Sequence, residues 1–186
     1  MISYVALIRG INVGGRNSLP MKDLKQLLER LDCSEVRTYI QSGNVVFRSS
    51  APSARICQDI ANSIEVNVGF RPHVVVLQES EFKRTIADNP FPEGESNPKA
   101  LHFGFLEFVP SSPQLQELEA LKVPSEKFAL VGRVFYLFAP KGVGRSKIAA
   151  KSEKLLGVPM TDRNGNTISK ILSILEEMNS QTLKKQ

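Results

Sequence analysis

The chain is poor in the residues that metal and covalent chemistry use. Its 186 residues include two cysteines, Cys33 and Cys57, and two histidines, His73 and His102. The cysteines form no Cys-x-x-Cys pair and the histidines have no partner at ligand spacing, a pattern that argues against a zinc or other transition-metal centre. Cys33 and Cys57 read as small apolar residues, because a reactive thiol needs a base and a lowered pKa. His73 opens the apolar run Val74 to Leu77 and His102 lies between Leu101 and Phe103, so both read as strand residues.

Long hydrophobic runs are also missing. No stretch approaches the roughly 18 to 20 apolar residues of a membrane helix. Met1 to Ile8 runs straight into Arg9-Gly10, which is not how a secretory signal is built. With 41% hydrophobic and 23% charged residues the chain is not low-complexity disorder. These features imply a cytoplasmic protein of one large or two small domains. The net charge is +5, without a polybasic tail, and the strongest local run is Lys141, Arg145, Lys147, Lys151 and Lys154 against Glu153. Gly10-x-x-x-Gly14-Gly15 matches neither the dinucleotide-binding nor the Walker pattern, and no cofactor is expected.

What is present is an order that occurs twice. Ser3 to Ile8 reads as a strand, and Met21, Leu24, Leu27, Leu28 and Leu31 recur at helical spacing behind Pro20. Val36 to Ile40 and Val45 to Phe47 read as strands joined by Gln41-Ser42-Gly43-Asn44. A helix opening at Pro52 carries Ile56, Ile60 and Ile64, His73 to Leu77 is a fourth strand, and a short helix follows from about Ser80. After the link Asn89 to Pro98 come a strand (Leu101 to Phe108), a helix from Pro113, and a hairpin of Phe128 to Val131 with Val134 to Phe138. A helix capped by Ser146, a strand from Val158 to Thr161 and a final helix capped by Asn166 or Thr167 complete the chain. The expectation is an α+β fold: two ferredoxin-like βαββαβ units in tandem, each followed by an extra helix, over residues 1–90 and 91–186. Both faces of the strands are apolar, which predicts covered sheets. An RNA-recognition surface, which needs an open sheet with stacking aromatics, is disfavoured, and Phe103, Phe105, Phe135 and Phe138 read as core.

In this topology the loop after strand one, the hairpin after strand two and the loop into strand four share one edge of the sheet. In the first unit that edge gathers Arg9, Asn12, Gly14, Gly15, Arg16, Gln41, Ser42, Gly43 and Asn44. Glycines admit positive φ and close backbone approach, so these residues are candidates for binding an anion. Tight turns alone would also account for the glycines. The second unit concentrates its polarity at the opposite edge, in Arg145, Ser146, Lys147, Arg163 and Asn164. A helix N-terminus with guanidinium and ammonium groups suits phosphate or carboxylate, whereas capping explains Ser146 equally well.

Leu7 to Gly15, Leu19-Pro20-Met21, Leu24 and Val36 to Phe47, which contains Arg37-Thr38-Tyr39-Ile40-Gln41-Ser42-Gly43-Asn44, resemble the bacterial family catalogued as domain of unknown function 1697. Gly144 to Lys147 and Thr161 to Asn164 with Thr167 agree towards the C-terminus, so the likeness spans almost the whole chain. Gly165 departs from it, standing where the family commonly has an aromatic residue. The resemblance implies a full-length α+β protein and supplies no reaction.

The leading expectation is therefore a binding protein for a phosphate-bearing partner: a nucleotide, another metabolite or a nucleic-acid segment. The rival classes are an enzyme of transferase type, with Ser42, Tyr39 and Asp162 as its reactive groups, and a protein-interaction module marked by an exposed Phe91.

Overall fold

The computed structural model describes residues 1–183, which form two compact units: Met1–Arg84 with the chain from Ser169 onward, and Thr85–Ile168. The first contains β1 (Ile2–Arg9), α1 (Met21–Arg30), β2 (Ser34–Tyr39), β3 (Asn44–Ser49), α2 (Ser53–Val68) and β4 (His73–Gln78), after which α3 (Glu79–Ala87) follows at once. The order of its antiparallel sheet is β2-β3-β1-β4.

One sheet face takes Tyr4, Ala6 and Ile8 from β1, Val45 and Phe47 from β3, and Val74 and Val76 from β4. These pack with Leu24 and Leu28 of α1 and Ile56, Ile60 and Ile64 of α2. The alternate residues Val5, Leu7, Val46, Val75 and Leu77 are buried too, as continuous apolar strands require. The end of the last helix, α7 (Gly165–Leu183), is tied to this unit by polar contacts. Arg37 and Arg48 donate to Gln181 at 2.6 Å and to Asn179 at 3.2 Å, and Asn179 donates to Glu79 at 2.9 Å.

The second unit contains the one-turn α4 (Glu93–Ser96), β5 (Leu101–Leu106), α5 (Leu115–Leu121), β6 (Lys127–Val131), β7 (Val134–Phe138), α6 (Lys147–Leu156) and β8 (Met160–Asn164). Its sheet order, β6-β7-β5-β8, repeats that of the first unit strand for strand. Leu106, Leu118, Phe135, Leu137, Ile148, Leu155, Leu156 and Val158 fill its core. The protein is thus α+β, with two tandem ferredoxin-like βαββαβ units.

Three local expectations change. The last strand is Met160–Asn164 rather than Val158 to Thr161, because Asp162, Arg163 and Asn164 pair with Gly104, Phe103 and His102 at a sheet edge, where polar side chains reach solvent. The cap of α7 is Asn164, whose Oδ1 accepts from Thr167 N at 3.0 Å, and not Asn166 or Thr167. The expected division after residue 90 follows strand order, whereas by packing α7 from Ser169 groups with the first unit.

Candidate functional site

At the first edge, register brings the expected loops together: Leu7 lies opposite Asn44 and Arg9 opposite His73. The amides there hold the scaffold. Asn12, at φ 54, donates through Nδ2 to Leu19 O (2.8 Å) and Gln41 O (2.9 Å), and its Oδ1 accepts from Leu19 N (2.8 Å). Gly14 (φ 57) and Gly15 (φ 74) form a tight turn closed by Arg16 N donating to Val13 O at 3.0 Å. Gly43 lies against β1, its carbonyl accepting from Ile8 N at 2.8 Å, and a Cβ there would fall 2.7 Å from Ile8 O. Asn44 is buried and donates to Tyr39 O and Ser42 Oγ. Arg9, Arg16 and Gln41 are exposed and Ser42 is half-buried. Arg71 engages Glu65 at 2.7 Å.

The second edge borders a cavity. Ser146 caps α6, its Oγ accepting from Ala149 N at 3.1 Å, while Arg145 and Lys147 on either side are exposed. Beside it a cavity of about 390 Å³ is lined by Lys99, His102, Lys141, Gly142, Val143 and Asn164, among others. Lys99 and Lys141 are exposed and form no ion pair among the described residues. Asn164 caps α7 through its oxygen, so its amide nitrogen remains for another partner.

Arg163 does not share this cleft. Strand alternation places it on the opposite face of β8 from Asp162 and Asn164. Its guanidinium donates to Asp162 O at 2.7 Å, and burial pushes its pKa down to about 10 against the opposing pull of the Asp162 charge. Tyr39 and Ser42 belong to the first unit and Asp162 to the second. Phe91 is buried, with Asn89 bonded to its backbone on both sides, so the marker chosen for an interaction module is not exposed. Gly165 donates to Pro98 O at 2.8 Å, and a Cβ there would lie 2.6 Å from that oxygen, which leaves no room for an aromatic ring.

The residue that sequence reasoning passed over is His102. Its Nδ1 lies 2.7 Å from Asp162 Oδ2, and Nε2 makes no hydrogen bond to the described residues. The available signal was topological: the first and fourth strands of a βαββαβ unit are neighbours, so a fourth strand extended through Asn164 sets Asp162 beside His102. A carboxylate on Nδ1 selects the tautomer that leaves Nε2 as an acceptor. Among the described residues no group of three or more His, Cys, Asp or Glu is placed to hold a metal ion. No described helix is long and apolar enough to cross a membrane.

The fold is similar over 94% of this chain to that of the conserved bacterial protein SP0830 from Streptococcus pneumoniae, with a TM-score of 0.73, 27% identity and 98% of that chain covered. No curated protein matches the sequence. Residues 1–136 match the model of the family described as "Protein of unknown function (DUF1697)", and the chain belongs to that family.

Proposed function

We propose that the second unit binds an anionic, phosphate-bearing small molecule where Lys99, His102, Lys141 and Asn164 converge. The observation that carries this reading is one cavity lined by two ammonium groups without ion pairs to the described residues and by a cap amide with a spare donor. Arg145 and Lys147 extend the positive field around it. A concavity of about 390 Å³ suits a metabolite or nucleotide better than a strip of nucleic-acid phosphates. The exposed Arg9 and Arg16 of the first unit are a weaker candidate, because Asn12, Gly43 and Asn44 beside them are committed to the loop.

The test is a melting experiment with inorganic phosphate at low ionic strength. Phosphate should raise the midpoint of the native chain, and Lys99→Ala with Lys141→Ala should remove most of that rise. A native chain whose midpoint phosphate leaves unmoved would end the reading.

The His102–Asp162 pair favours a second reading, phosphoryl transfer from a bound phosphate ester: Nε2 would take the proton of an acceptor hydroxyl as its oxygen forms a bond to phosphorus, and the ester's alcohol would leave carrying that proton. His102→Gln would then abolish turnover while retaining phosphate binding.

A further inference from the structure

Val143 lines the basic cavity and also a second one, likewise about 390 Å³, between α6 and the sheet. The walls of this inner cavity are Phe135, Leu137 and Met160 on the sheet and Gly144, Ala149 and Ala150 on the helix side. The His102–Asp162 bond spans the junction, with His102 lining the basic cavity and Asp162 the inner one.

Apart from Ser146, Ser152 and the Asp162 carboxylate, which His102 engages, the lining of the inner cavity is apolar. Both serines bond to the helix backbone: Ser146 Oγ accepts from Ala149 N, and Ser152 Oγ donates to Ala149 O at 3.2 Å. The helix wall consists of the smallest side chains, which leaves width. The sheet wall presents a phenyl ring and a thioether, both polarisable surfaces that favour contact with a planar group. Gly104 helps to set this shape, because the Met160 sulfur lies where a Cβ on residue 104 would stand.

We propose that the two cavities form one bipartite site for a phosphate monoester of a planar apolar group. The phosphate would lie at Lys99 and Lys141, and the ring between α6 and the sheet. The proposal rests on the anion reading above and names its ligand class. His102 lies at the junction, where Nε2 can accept from a hydroxyl or amino group of the ligand.

Calorimetric titration of the full chain with inorganic phosphate, phenyl phosphate and 1-naphthyl phosphate tests it. At least one aromatic ester should bind tenfold or more tightly than inorganic phosphate. Ala150→Phe, made at an exposed helix position, should erase that preference while leaving the affinity for inorganic phosphate within twofold. Circular dichroism verifies that the variant folds, and Ala150→Leu replaces it if it does not. Aromatic esters that bind no tighter than phosphate, or a preference that survives the filled cavity, would overturn the bipartite site and leave the anion reading intact. If no phosphate compound binds the native chain, both fall together.

Discussion

His102 on β5 and Asp162 on β8 are joined by a 2.7 Å hydrogen bond, although the residue directly opposite His102 is Asn164. The contact is diagonal across an antiparallel pair, within the reach of an imidazole and a carboxylate. It fixes the ring at the boundary of the two cavities.

This pairing should select the Nδ1–H tautomer. Long-range proton–nitrogen NMR at pH 8 should place the proton of His102 on Nδ1 in the native chain. Asp162→Ala should shift population towards Nε2–H and cost about 1 to 2 kcal/mol in urea denaturation, the worth of a hydrogen bond to a half-exposed carboxylate. A native ring protonated on Nε2 would show that Asp162 does not select the tautomer.

Asn12 makes three side-chain hydrogen bonds from a left-handed backbone position. Asn12→Ala removes them all and places an alanine at φ 54, so urea denaturation should show a loss of about 2 to 4 kcal/mol. Asn12→Gly keeps the backbone relaxed and should recover about 1 kcal/mol of that loss.

Two glycines at the first edge should respond differently to alanine. Gly14→Ala meets nothing within 4 Å and should cost about 1 to 2 kcal/mol through its positive φ alone. Gly43→Ala adds a collision with Ile8 O at 2.7 Å and should cost clearly more, with overpacking contributing a further 1 to 3 kcal/mol or so. Equal midpoints for the two variants would contradict the close approach of the β2–β3 turn to β1.

Burial, with a smaller contribution from Asp32, pushes the Cys33 thiol up to about 11. The folded state therefore favours the neutral thiol. That contribution is fully present below the unfolded-state value near 9 and is lost as pH rises towards 11. Cys33→Ala should flatten the alkaline limb of the stability curve between those values. Native Cys33 should also resist iodoacetamide at pH 8, with mass spectrometry locating any adduct.

Arg163 and Lys141 should separate in binding. Lys141 lines the basic cavity, whereas Arg163 occupies the other face of β8. Lys141→Ala should weaken inorganic phosphate severalfold in calorimetric titration, while Arg163→Ala should leave it within twofold. A large loss with Arg163→Ala would return that guanidinium to the ligand.

The duplicated βαββαβ order was legible in the sequence because local forces write it. Apolar spacing marked α1 and α2, Pro20 and Pro52 marked their starts, and Ser146 capped α6 as its position suggested. Strand order in turn placed Arg9, Gln41 and Asn44 at one edge without any side-chain information. Hydropathy failed at β8, where an edge strand held by backbone bonds to β5 carries Asp162, Arg163 and Asn164. That misplacement hid the His102 contact and put Arg163 on the wrong side, because a strand turns alternate residues to opposite faces. The committed amides of Asn12, the collision that excludes a side chain at Gly43 and the juncture of an apolar with a basic cavity at Val143 depend on atoms far apart in sequence. Periodicity reports which face a residue takes, and only tertiary packing decides what it meets there.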